Sequence, residues 1–137
     1  MIRKASLREL KQISDLYYTR MLKHFIDIRE KPITQREFEK RLKSNFKKSK
    51  MFILDLNGIK SFTWFVKNGR EYNLEEIFVT EENKGYGKLL MSYILKEAKK
   101  HKIKRINLDV HFRNKRAQDF FRKFGFSERT IEMSLDL

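Results

Sequence analysis

The chain has no cysteine, one proline and one tryptophan among its 137 residues. Without cysteine it can form no disulfide, build no thiolate metal site and use no cysteine nucleophile. No apolar run approaches the roughly 18 residues that a membrane-spanning helix needs. The first residues, Met-Ile-Arg-Lys-Ala-Ser, lack the apolar core of a secretory signal. These absences predict a cytoplasmic protein.

Acidic residues are scarce relative to basic ones, with 18 against 32, which gives a net charge of +14. Such a charge attracts polyanions, so a nucleic-acid-associated protein is one interpretation. The other is a lysine-rich composition in which charge serves solubility and ion pairing. No helix-turn-helix, zinc or RNA-binding aromatic motif is present. Phe62 and Trp64, which alternate on a predicted strand, are expected to be core residues rather than a base-stacking platform.

Length and local signals predict a single domain over residues 1–137. Ser6 and Thr34 each precede a glutamate by three residues, which is the capping-box pattern of a helix start. Asn57-Gly58 and Asn68-Gly69 are hairpin turn signals, so three antiparallel strands should follow one another. After a first strand at residues 2–4, the predicted elements are helices 6–25 and 34–46, strands 51–56, 59–67 and 71–79, helix 85–100, strand 103–110, helix 115–124 and strand 126–135. The strand at 103–110 should be parallel to the one before the intervening helix.

Residues 74–90 read as an apolar strand, a polar loop with two glycines and an amphipathic helix. A glycine-bearing loop at a helix start presents free backbone N–H groups to an anion, and glycine lets a phosphate approach closely. The spacing matches neither the Walker loop nor the dinucleotide fingerprint. By itself the segment fits either a pyrophosphate cradle of another kind or a plain strand-to-helix turn. The residues of such a cradle are Asn83, Lys84, Gly85, Tyr86, Gly87 and Lys88.

A second strand–loop–helix unit spans residues 106–126 and ends in Gly-Phe. Together the two units resemble the GNAT superfamily of acetyl-coenzyme A-dependent N-acetyltransferases. The first fits Gln/Arg-x-x-Gly-x-Gly/Ala and the second fits Asn-x-x-Ala-x-x-Phe-Tyr-x-x-x-Gly-Phe. Two positions depart from these patterns. Glu82 stands where the family usually has Gln or Arg, and Phe121 stands where it usually has a Tyr that can protonate the leaving thiolate.

The resemblance implies an α/β (α+β) fold with a mixed, mostly antiparallel sheet and flanking helices. Strands four and five splay apart, and acetyl-coenzyme A binds in the gap. Backbone groups of Ile77, Phe78 and Val79 would pair with the pantetheine amides, and residues 83–88 would hold the pyrophosphate. Asn114 would bond the cofactor or position its thiol end, and the same side chain could also cap the following helix. Phe121 would lie near the thiol end.

The implied chemistry is direct attack of a primary amine on the thioester, helped by a base that takes the amine proton. Three residues are candidates for this base. Glu75 should share a strand face with Ile77 and Val79 if the strand alternates regularly, and Asp109 and His111 follow on the next strand. The acceptor could be a small amine, a lysine or a protein N-terminus. A fold that binds the cofactor with little turnover is a further alternative. No metal site is predicted.

Overall fold

The computed structural model describes residues 1–137 and contains five strands and four α-helices. Their bounds are β1 Ile2–Lys4, α1 Leu10–Asp27, α2 Gln35–Asn45, β2 Lys50–Asp55, β3 Ile59–Asn68, β4 Glu71–Val79, α3 Tyr86–Lys100, β5 Arg105–Asn107 and α4 Lys115–Lys123. The strands form one sheet in the order β1-β2-β3-β4-β5, antiparallel throughout except between β4 and β5. The predicted mixed, mostly antiparallel sheet with flanking helices is confirmed.

Local signals place the early helices and the hairpins where the sequence predicted them. The Ser6 N–H donates to the Glu9 carboxylate at 2.8 Å, just before a short 3-10 turn leads into α1. The Thr34 hydroxyl accepts from the Glu37 N–H at 3.1 Å and caps α2. At the first hairpin Asn57 has a φ of 56°, a left-handed conformation that this residue type tolerates. Short-range chemistry therefore fixes the order of the antiparallel strands.

The two faces of the sheet carry separate hydrophobic cores. On one face α1 and α2 cover β2 and β3, and the Tyr17 ring stacks on that of Phe78 with 5.2 Å between centroids. On the other face α3 and α4 pack against β3 and β4 around Leu90. Phe62 and Trp64 are both buried in the first core, which confirms that they are core residues.

A β-bulge in β4 overturns the predicted alternation of that strand. Trp64 pairs with Glu76 and Phe65 pairs with Leu74, so Glu75 is an extra residue without a partner on β3. Leu74 and Ile77 consequently face the same core although they are three residues apart. Glu75 is exposed and does not share the face of Ile77, so the sequence-based placement of this side chain is wrong. Strict alternation cannot reveal an inserted residue, because the register depends on the neighbouring strand.

The last predicted strands are shorter than expected or missing. Only residues 105–107 of the predicted strand 103–110 join the sheet. The predicted strand 126–135 does not form, and residues 127–137 are exposed without regular structure. Apolar alternation indicates a strand, but a strand needs an edge to pair with, and β5 is only three residues long.

None of the helices has the length and apolar character of a membrane span.

Candidate active site

The parallel ladder between β4 and β5 opens the sheet at one end. It contains three residue pairs, from Glu71 with Arg105 to Asn73 with Asn107, and no pair follows. Beyond Asn73, β4 continues to Val79 with β3 on one side and no strand on the other. The predicted splay of strands four and five is confirmed, and it leaves backbone polar groups of β4 facing a gap.

The loop after β4 presents a continuous run of free N–H groups at the start of α3. Asn83 and Gly85 have positive φ values of 62° and 78°, which turn the chain sharply into the helix. No backbone N–H of residues 81–88 donates to an acceptor in the protein. The positive end of the α3 dipole points to the same place. Residues 83–88, the predicted pyrophosphate cradle, therefore present free N–H groups at a helix N-terminus, where an anion is favoured.

Gly87 allows this helix start to approach both β4 and α4. A Cβ added there would lie 3.4 Å from the ring of Phe120 and 3.6 Å from Cγ1 of Val79. A larger side chain would therefore displace these neighbours or extend toward the loop. The second glycine of the motif is thus required for close packing, whereas Gly85 is required for its left-handed backbone.

A basic side chain of α4 lies beside the loop and adds positive charge to it. Arg116 forms an ion pair with Glu82 at 3.1 Å and donates to Oδ1 of Asn83 at 3.4 Å. Lys84 and Lys88 are exposed and form no ion pair. Arg116 neutralises the negative charge of Glu82, which replaces the Gln or Arg of the motif. The sequence reasoning missed Arg116, because its proximity to the loop depends on how α4 packs against α3.

The second motif contributes a helix cap and two aromatic rings. Oδ1 of Asn114 accepts from the Ala117 N–H at 3.2 Å, so the predicted cap is present. Phe121 is only 8% exposed and lies in the core, 5.6 Å from Phe126 between ring centroids. Phe120 is the ring that reaches the start of α3 next to Gly87. The motif identified the correct pair of phenylalanines, but it did not show which ring faces the loop.

The three predicted bases occupy different environments. Glu75 and Asp109 are exposed, and neither takes part in a hydrogen bond or an ion pair with another side chain. His111 has both ring nitrogens engaged: one lies 3.3 Å from the Glu30 carboxylate and the other accepts from the Arg113 N–H at 3.1 Å. No hydrogen bond or ion pair therefore links these three candidates, and the imidazole contacts the loop between α1 and α2 through Glu30.

Glu76 is a carboxylate that the sequence reasoning did not select. It lies opposite Trp64 across the β3–β4 ladder, half-buried on the face that α1 and α2 cover. Burial raises the pKa of Glu76 to about 7; the charge of Glu75 acts in the same direction and that of Arg41 opposes it. The Thr63 hydroxyl donates to the Glu76 backbone carbonyl at 2.9 Å and holds the strand at the bulge. A doubled glutamate in an apolar strand is the sequence signal that could have revealed it.

Comparison with known proteins agrees with this geometry. Residues 18–126 match the model of the acetyltransferase (GNAT) family. A mutant form of a Bacillus halodurans protein shares the fold with a TM-score of 0.79 at 20% identity, covering 100% of this chain and 99% of the other. PaiA N-acetyltransferase from Thermoplasma acidophilum in complex with coenzyme A gives 0.77 at 17%, covering 96% and 92%. An N-acetyltransferase from Staphylococcus aureus gives 0.72 at 20%, covering 92% and 82%. A search of curated proteins finds no match.

The family match extends over most of the chain and includes both motifs. The chain belongs to the GNAT family of acetyltransferases, and the acetyl donor of that family is acetyl-coenzyme A. The three solved structures share the fold of this chain. No group of three or more histidine and carboxylate side chains is arranged to hold a metal ion.

Proposed function

We propose that this chain, acting as one GNAT domain over residues 1–137, transfers an acetyl group from acetyl-coenzyme A to a primary amine. The observation that carries the proposal is the position of Glu76, a half-buried carboxylate with a pKa raised to about 7, on a strand that opens into a gap. The gap leads to a loop with free N–H groups. An anion site and a base next to one strand are what amine acetylation requires.

The proposed cofactor site consists of backbone groups and one guanidinium group, that of Arg116. The N–H groups of residues 81–88 would hold the pyrophosphate, with Arg116 adding positive charge at the edge of the loop. Backbone groups of Ile77, Phe78 and Val79 would pair with the pantetheine amides as an added strand would. The Phe78 side chain is packed against Tyr17, so only its backbone is available to a ligand. A free N–H near Val79 would polarise the acetyl carbonyl.

Glu76 would accept the proton that the attacking amine loses. A carboxylate with a pKa of about 7 is roughly half ionised at neutral pH, and it binds a proton far more strongly than an exposed glutamate. Glu75 would then act indirectly, because its charge raises the proton affinity of Glu76 and attracts a cationic amine. Asp109 stays a predicted candidate for the base. The acceptor is an amine of a small molecule, a lysine or a protein N-terminus.

The thiolate would leave without a tyrosine acid at position 121. A free thiol has a pKa of about 8.5, so its anion is a tolerable leaving group near neutral pH. The absence of a hydroxyl on the buried Phe121 also favours one alternative, a cofactor-binding fold with little turnover.

Ligand-induced stabilisation tests the cofactor assignment. Acetyl-coenzyme A at about 100 times its dissociation constant should stabilise the fold by about 2.7 kcal/mol, which is several degrees of melting temperature. Duplex DNA is the matched polyanion and should give no comparable shift. A shift with DNA alone would support the nucleic-acid alternative. Thiol release with a panel of amine acceptors then separates an enzyme from a fold that only binds the cofactor.

A further inference from the structure

The guanidinium group of Arg41 is a cation without a partner in the protein. Arg41 lies on α2, one position before the buried Leu42 and three after the buried Phe38. Its side chain is exposed, and its guanidinium donates no hydrogen bond and forms no ion pair. An arginine carries five N–H donors in a planar fork that matches a carboxylate. These donors are therefore free to bind an anion.

Packing between α2 and β4 places Arg41 near Glu76. The Phe38 ring meets the Phe78 ring edge-on, with 5.9 Å between centroids. Glu76 and Phe78 are two residues apart beyond the bulge, so their side chains share the face that α2 covers. Arg41 follows Phe38 by nearly one helical turn. Burial raises the pKa of Glu76 and the charge of Arg41 opposes that rise, which is a second indication that the two groups are close.

The two charged groups influence each other but do not pair. No ion pair joins Arg41 to Glu76, although their charges are opposite. A molecule that carries an ammonium and a carboxylate close together can bind both groups at once. Trp64, opposite Glu76 on β3, is only 8% exposed, and its indole N–H has no hydrogen-bond partner. A second donor is therefore unused in the same neighbourhood.

The wider charge distribution favours an acceptor that carries a negative charge beside its amine. The chain has a net charge of +14, which repels a substrate that is only cationic. On the same face as Arg41, Arg20 of α1 donates to the Thr80 carbonyl just after β4 and adds another cation. Glu75 and Glu76 supply the opposite charge at the bulge. An amine with a neighbouring carboxylate matches both signs.

We propose that the acceptor is an amine with a carboxylate close to it, as in a free amino acid, an assignment that rests on the proposed acetyl transfer. Arg41 binds the carboxylate and thereby determines specificity, and the amine lies on the side of Glu76. The amine nitrogen forms the amide bond to the acetyl carbon, and the C–S bond breaks with its electron pair leaving on sulfur. The proton of the nitrogen passes to Glu76. The carboxylate belongs either to a free amino acid or to an acidic first residue of a polypeptide.

Matched acceptor pairs test the inference by thiol release from acetyl-coenzyme A. Free amino acids are compared with their amides, and peptides that begin with Asp or Glu with peptides that begin with Asn or Gln, each rate corrected for the fraction of unprotonated amine. The preferred source should show at least about a tenfold higher kcat/KM for the carboxylate form. Arg41→Gln should abolish this preference, mainly through KM, and leave the neutral acceptor within about threefold. Lys40→Gln, at an exposed neighbouring position, should keep the preference.

Binding to the coenzyme A complex gives a measurement that does not depend on turnover. The carboxylate acceptor should raise the melting temperature of the natural protein saturated with coenzyme A, and it should not raise that of Arg41→Gln. Equal use of both members of every pair would overturn the inference and leave the proposed acetyl transfer in place. A preference that survives Arg41→Gln would overturn it as well. If no amine is acetylated, the proposed function fails, and the absence of a melting shift would then refute carboxylate recognition separately.

Discussion

Glu76→Gln separates the chemical role of this side chain from its structural cost. Glutamine has nearly the same shape and cannot take a proton, so kcat/KM for amine acetylation should fall by roughly 10²-fold or more. In the natural protein kcat/KM should rise about tenfold between pH 6 and pH 8, as a group with a pKa of about 7 ionises. The variant should lose this rise, and any remaining pH dependence of kcat/KM should come from deprotonation of the amine substrate.

The same substitution should increase stability. The pKa of Glu76 is raised from 4.5 to about 7 on folding, so the folded state binds the proton more tightly than the unfolded state. This contribution to stability is fully present below pH 4.5 and is lost as the pH rises to about 7. At pH 8 the ionised carboxylate therefore costs up to about 3 kcal/mol, which a neutral glutamine avoids. Glu76→Gln should melt several degrees higher at pH 8 and nearly the same at pH 4.

Glu75→Gln is the matched control, because it removes an equal charge from the adjacent, exposed position. It should leave most of the activity and move the pH midpoint slightly toward acid, since repulsion between the two carboxylates is gone. The assay is thiol release with the best acceptor found, together with thermal unfolding at both pH values. Glu76→Gln with activity within about threefold of the natural protein, or with an unchanged pH midpoint, would refute its role as the base.

The remaining predictions concern the loop and the second motif. Gly87→Asp should weaken acetyl-coenzyme A binding at least about tenfold by calorimetry, because it adds a negative charge at the start of α3, and Gly87→Ala tests the tight 3.4 Å contact with Phe120 alone. Arg116→Ala should raise the KM for acetyl-coenzyme A several-fold with little change in kcat, whereas Lys115→Ala, its exposed neighbour, should not. Phe121→Tyr should raise turnover by less than about tenfold and cost about 1 to 3 kcal/mol in denaturant unfolding if its hydroxyl stays unpaired; a hundredfold gain would show that the natural chain lacks a needed acid.

Local signals in the sequence were sufficient for much of this fold. The hairpin at Asn57-Gly58, the cap at Thr34 and the glycine loop at residues 83–88 each depend on neighbours within a few positions. Both motifs therefore appeared in the right order and on the right elements. The helix cap at Asn114 was one of two alternatives left open by the sequence, and it is present.

The sequence did not reveal the register of the strands or the direction of the side chains in the assembled sheet. The bulge at Glu75 exists because β3 pairs on both sides of it, and no pattern within β4 alone reveals that. As a result the exposed Glu75 was selected and the half-buried Glu76 was overlooked. Likewise, Arg116 meets Glu82 only because α4 packs beside the start of α3. The predicted strand at 126–135 does not form, because apolar alternation within a segment cannot show whether a sheet edge is available to pair with it.

Because the ladder between β4 and β5 is short, the β5 end of the sheet should unfold locally before the rest of the molecule. Eight residue pairs join β3 to β4, whereas three join β4 to β5. Segments held by few ladder pairs unfold locally at lower free energy than the rest. A ligand bound along the free edge of β4 would extend this ladder, because its own amide groups would form hydrogen bonds with the strand. If acetyl-coenzyme A binds there as proposed, filling the gap and ordering the β5–α4 portion would be one event, and the sheet would be completed only in the bound protein.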